Sequence, residues 1–120
     1  MFSNSAIWSF FHEASSFSIK NIDERTFFIG ALAKRKDGAI VIARNNCNKV
    51  PMPMAHAEAR LSKKIDLKSI VFVCRTSKIY DTPHFALAKP CASCYTILKN
   101  KGVKRVYYTI SENQYDYFDF

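Results

Sequence analysis

Two short stretches of this chain, His56-Ala57-Glu58 and Pro90-Cys91-Ala92-Ser93-Cys94, carry three side chains of the kind that hold a zinc ion and one carboxylate that need not be a ligand. They stand far apart in sequence, so a fold that uses them together must bring them to one place. Three protein ligands leave a tetrahedral zinc with an open corner for water, whereas structural zinc sites are closed with four. The residue count therefore favours chemistry over scaffolding.

The local sequence indicates how the two stretches meet. Each is followed by helix-forming residues, about Ala55 to Ile65 and about Cys91 to Lys101, the second stopping at Gly102. Pro90 suits a helix entry because its missing amide hydrogen is not needed there. Cys91 and Cys94 are three apart and share a helix face. The positive helix end favours the thiolate, the form that binds metal. If the two helix starts converge above a sheet, His56, Cys91 and Cys94 can share an ion. Glu58, in the first turn, can then reach the same volume and move protons to and from water.

The rest of the chain supplies that sheet. Thr26 to Ala33 and Ala39 to Ala43 are apolar, partly β-branched runs around Lys34-Arg35-Lys36-Asp37-Gly38, which reads as a β-hairpin. Ser69 to Cys74 and Val103 to Ile110 are further strands. The second helix lies between them, long enough for a right-handed crossover that makes these two strands parallel. Ser3 to Phe17 has helical spacing at Ile7, Phe10, Phe11 and Ala14, with Ser3 or Ser5 as cap. Asn45 to Pro53 and Arg75 to Lys89 read as loops, and Ser111 to Phe120 as an aromatic, acidic tail of unassigned form. The expected architecture is an α/β three-layer domain: a mixed sheet of four to five strands with helices on both faces. At 120 residues the chain is expected to be one domain, 1–120, with the motifs in about 25–110.

Composition bounds the setting. No run approaches a membrane span, and Met1 to Phe11 lacks a secretory pattern, so the four cysteines read as cytosolic thiols or thiolates. Cys47 and Cys74 read as small buried residues. The charge is +8, with basic clusters at Lys34-Arg35-Lys36, Lys63-Lys64, Lys99 with Lys101, and Lys104-Arg105. A phosphate-bearing partner and a merely solvated surface account for them equally well.

The motif pair resembles that of the cytidine deaminase superfamily, over roughly residues 25 to 110. The stretch from Lys89 through Tyr108 is most similar to compact, phage-type cytidylate and deoxycytidylate deaminase domains. The resemblance implies that His56, Cys91 and Cys94 hold Zn2+ and that Glu58 is the proton shuttle. It also implies that Asn45 contacts sugar or base, with Asn46 in reserve, and that the Ala57 backbone orients the ring. His84 and Phe85, in the loop before the cysteines, are candidates for contacting phosphate and base. The implied reaction is hydrolysis of the cytosine amine to uracil and ammonia, on a nucleoside or a nucleotide such as dCMP. A cytosine in single-stranded DNA or RNA is the alternative substrate, which the charge and the aromatic content would suit. An inactive zinc-stabilised binding module is a third reading, which the presence of Glu58 argues against. The implied setting is cytoplasmic, without a membrane partner and compatible with an oligomer.

Overall fold

Alternation in the strands decides which side of the sheet each residue packs on, and here it separates two chemically different cores. The computed structural model describes residues 2–18, 27–44, 57–79 and 82–120. Its elements run α1 (Asn4–Ser18), β1 (Phe27–Lys34), β2 (Ile40–Arg44), α2 (Ala57–Ser62), β3 (Ile70–Ile79), β4 (Thr82–Ala86), α3 (Ala92–Asn100), β5 (Arg105–Ser111) and β6 (Gln114–Asp119). The sheet order is β2-β1-β3-β5-β6, with β4 also paired to β3. β3 and β5 are parallel and the other pairs antiparallel. This is the expected α/β mixed sheet with helices on both faces.

Local chemistry explains the elements. In α1, Ile7, Phe11 and Ala14 fall on one face and are buried. The Ala6 amide donates to the Ser3 hydroxyl at 3.2 Å, which caps the helix start. The β1–β2 turn closes through the Asp37 carboxylate, which accepts from the Ala39 amide at 3.0 Å, and through Gly38 at φ +92°. At the end of α3, Gly102 takes φ +77° while the Val103 amide reaches back to the Leu98 carbonyl. A Cβ on Gly102 would also stand 2.3 Å from a methyl of the exposed Leu67, which would have to turn aside, so it is the positive φ that calls for glycine here.

On one face α1 covers Leu32, Phe72, Cys74 and Tyr107. On the other, α2 and α3 place Leu61 and Leu98 over Ala31, Ala33, Ala43, Val71, Val73 and Val106. Odd positions of β3 feed the second core and even positions the first.

Two expectations are corrected. The stretch from Arg75 to Lys89 is not wholly a loop: β3 runs on to Ile79 and turns back as β4. The last ten residues, left unassigned by the sequence, hold β6, which pairs antiparallel with β5 and brings the described strands to six rather than four or five. The physical reason is edge pairing. β5 occupies one edge of β3 only over Ile70–Val73, so the remaining edge is open to β4. Tyr115 of β6 packs on the α1 side, its hydroxyl bonded to the Asn4 side chain, while Phe118 packs on the other side.

Candidate functional site

The strand directions place the site. β3 and β5 run towards one end of the sheet, where the chain enters α3, and β2 ends at the same end as α2 starts. Both helices then descend the same face, with Ala57, Leu61 and Leu98 in one apolar cluster. The starts of α2 and α3 therefore meet.

Glu58 is the second residue of α2 and is only 4% exposed. Cys91 is the N-cap of α3, in extended backbone, and its carbonyl accepts the first helical bond from Tyr95 at 2.8 Å. Cys94, three residues later, is fully buried. The cap position thus carries a sulfur where serine or aspartate is usual. The Cys94 thiol is hydrogen-bonded to both Cys91 and Glu58. Burial, then the Glu58 charge, then Cys91 push its pKa up well above that of an ordinary thiol.

Two buried acidic groups, Glu58 and Cys94, adjoin the exposed Cys91, and ionising all three together requires a positive counter-charge. A divalent cation that accepts sulfur meets the requirement, and thiolates suit zinc. Among the described residues no group of three or more His, Cys, Asp or Glu side chains is placed to hold a metal ion. His56, the third expected ligand, lies outside the described residues, as do Asn45 and Asn46. Ala57 is buried at the first position of α2.

His84 and Phe85 are not brought to this cluster. Phe85 lies on the α1 face, 5.7 Å from Trp8 and 5.1 Å from His12 between ring centroids. His84 Nδ1 is 3.2 Å from Glu112, and the same carboxylate accepts from the Phe85 amide at 2.6 Å. Both residues line a small cavity of about 90 Å³ with His12, Ser15, Thr76 and Glu112.

A residue passed over in the sequence proves central to positioning. The buried Thr109 hydroxyl donates to the Ala86 carbonyl at 2.7 Å and accepts from the Arg75 amide at 3.3 Å. The Thr109 carbonyl accepts from the Ala88 amide at 2.9 Å. These bonds hold the approach to Cys91. The signal was the one aliphatic hydroxyl in the run Val106 to Ile110.

No protein-family model matches the sequence, and no curated protein matches it. Among solved structures, the fold is similar to that of a cytidine deaminase from Burkholderia pseudomallei. The TM-score is 0.60 at 12% identity, over 98% of this chain and 93% of that one. The likeness spans both helical layers and the whole sheet. At this identity it speaks to architecture, which is the cytidine-deaminase-like α/β fold. No helix among the described residues is long and apolar enough to cross a membrane.

Proposed function

We propose that the protein is a zinc-dependent hydrolase that removes the exocyclic amine of cytosine from a nucleoside or nucleotide such as dCMP, giving uracil and ammonia. The observation that carries the reading is the contact of a buried carboxylate, Glu58, with a sulfur pair at the start of a neighbouring helix. A redox dithiol gives no reason for that carboxylate. The fold likeness to a cytidine deaminase points the same way.

In this reading His56, Cys91 and Cys94 hold the zinc. When bound, the ion supplies Lewis acidity that makes a water nucleophilic near neutral pH. Glu58 does the proton work. Its carboxylate takes a proton from the attacking water as oxygen adds to C4 and delivers it to ring N3. A second proton, also from water, then goes through Glu58 to the exocyclic nitrogen. The C4–N bond breaks, ammonia leaves and N3 keeps its proton as the carbonyl forms. The Ala57 backbone orients the ring and Asn45 contacts sugar or base. Burial of Glu58 keeps bulk water from competing for its proton.

The test offers cytidine, dCMP and a cytosine-containing single strand side by side, with metal content measured on the same preparation. About one zinc per chain and ammonia release from the free nucleoside or nucleotide is the expected result. Release from the strand alone would replace the free substrate with the polymer. A Cys94→Ser protein that keeps its zinc would remove Cys94 from the ligand set.

A further inference from the structure

The four basic clusters of the sequence lie on three different connections, yet the topology gathers them at one end. The first runs off β1 into the hairpin turn, the second follows α2, the third closes α3 and the fourth opens β5. Because α2 and α3 descend away from Glu58 and Cys91, all four clusters lie at the opposite end of the sheet. The positive charge is therefore concentrated away from the candidate catalytic cluster.

The side chains there are unevenly matched. Arg35 is held by Asp37 at 3.0 Å and by Asp66 at 3.5 Å. Arg105 is held by both oxygens of Asp119, at 2.6 and 3.0 Å, and so keeps the Asp119 carboxyl below its ordinary pKa. The carboxylates thus go to arginines, and the lysines carry the excess charge. Lys34, Ile70 and Arg105 stand in one register row across β1, β3 and β5. Around that row lies a groove of about 590 Å³, lined by Phe2, Lys34, Ile70, Lys104, Arg105 and Tyr107. The Lys34 ammonium sits 5.0 Å from the centre of the Phe2 ring, and the Arg105 guanidinium lies 4.1 Å over Tyr117, a ring about half exposed.

We propose that this end of the sheet is a docking site for single-stranded nucleic acid, with one nucleotide in the groove and its phosphate between Lys34 and Lys104. The groove has the size of a small-ligand site and an apolar floor beneath a cationic rim, which suits a flat base joined to a phosphate. Further lysines lie beyond it, Lys36 in the hairpin turn, Lys63 and Lys64 after α2, and Lys99 and Lys101 at the end of α3, more charge than a lone phosphate needs, which suits a chain of phosphates. A lipid surface is flat and would leave the groove empty. The exposed apolar side chains at this end, Ile40, Leu67, Tyr117 and Phe120, are spread over the start of β2, the α2–β3 turn and the end of β6 rather than gathered in one insertion patch. The proposal does not rest on the deaminase reading.

The test is fluorescence anisotropy with a labelled oligothymidylate of about 12 nucleotides, within the usual range of site sizes. It contains no cytosine, so binding is read without chemistry. The wild-type chain should bind it, with affinity falling steeply between about 50 and 200 mM salt. Each phosphate neutralised on a single strand contributes about 0.7 to the slope of log affinity against log salt. Lys34→Ala/Lys104→Ala should therefore flatten the slope by about 0.7 and weaken binding about 5-fold near 0.1 M salt. Lys34→Arg/Lys104→Arg should restore both, and circular dichroism checks that each variant is folded. An unchanged slope in the alanine variant overturns the proposal. So does thymidine monophosphate competing as well as the strand, which would make the groove a mononucleotide site. Binding to phosphatidylserine vesicles without binding to the strand would make it a membrane surface, and overturns it too.

Discussion

The two faces of the sheet are built from different materials. Under α1 the core is aromatic: Phe72 and Tyr107 stack at 5.1 Å with planes 6° apart, and Phe10, Phe11, Trp8 and Tyr115 surround them edge-on or tilted. Under α2 and α3 the middle of the sheet presents alanine and valine, with Tyr108 and Phe118 on its β5–β6 side, and the helices add leucine. Large rings hold a helix off the sheet and supply burial, whereas small side chains let two helices settle close and side by side. The thick face supplies stability. The thin face sets the positions of Glu58, Cys91 and Cys94.

That division can be broken from either side. The largest effect is expected at the thin face: Glu58→Gln should lower ammonia release about 10²- to 10⁴-fold, with the urea midpoint little changed. A fully active variant would detach the carboxylate from the reaction. Next, Phe72→Ala should cost about 3–5 kcal/mol in urea unfolding, since a fully buried ring leaves a cavity. Its neighbour Val73→Ala, facing the other way, should cost about 2 kcal/mol from two lost carbons. Equal costs would mean that the faces do not differ as described. Ala31→Leu should cost about 1–3 kcal/mol by overfilling the space beneath the helices. It should also reduce ammonia release more than Phe72→Ala does under conditions where both are folded.

The smallest effect is a titration. Burial pushes the Cys74 thiol, on the aromatic face, up to about 12, outweighing its hydrogen bonds with the Gly30 backbone and Thr76. The folded chain holds that proton where the unfolded chain, near 9, has released it. Stability from this group is therefore complete below pH 9 and lost as pH rises towards 12. The slope is at most about 1.4 kcal/mol per pH unit. Cys74→Ala should show a shallower fall in urea midpoint between pH 8 and pH 10. Identical falls would mean that Cys74 is not sealed from solvent.

Much of this architecture was legible in the residues. The Asp37-Gly38 turn, the apolar runs on either side of it and the Gly102 stop each have a local cause, and each appears within a residue or two of its expected place. The parallel pairing of β3 and β5 followed from the length of the connection. The pairing of Arg75–Ile79 with β4 was not legible, because Arg75, Thr76, Ser77 and Lys78 are polar and Pro83 interrupts the following run. That hairpin depends on the stretch of β3 edge that β5 leaves uncovered. β6 was missed for a related reason: its aromatics alternate sides, but only a partner strand gives the alternation meaning. At the site, the spacing of Cys91 and Cys94 and the helix starts pointed to the cluster with Glu58. The hydroxyl of Thr109 could not be placed without knowing where β5 parts from β4.

Thr109 makes the connector to the cysteine pair a ruler. With Ala86 and Ala88 pinned to one side chain and its own carbonyl, the few residues up to Ala92 have no slack to redistribute. A helix turns about 100° per residue, so one residue inserted after Ala88 would enter α3 out of phase and swing Cys94 off the Glu58 side. The segment between Leu87 and Pro90 should therefore tolerate changes of side chain far better than changes of length.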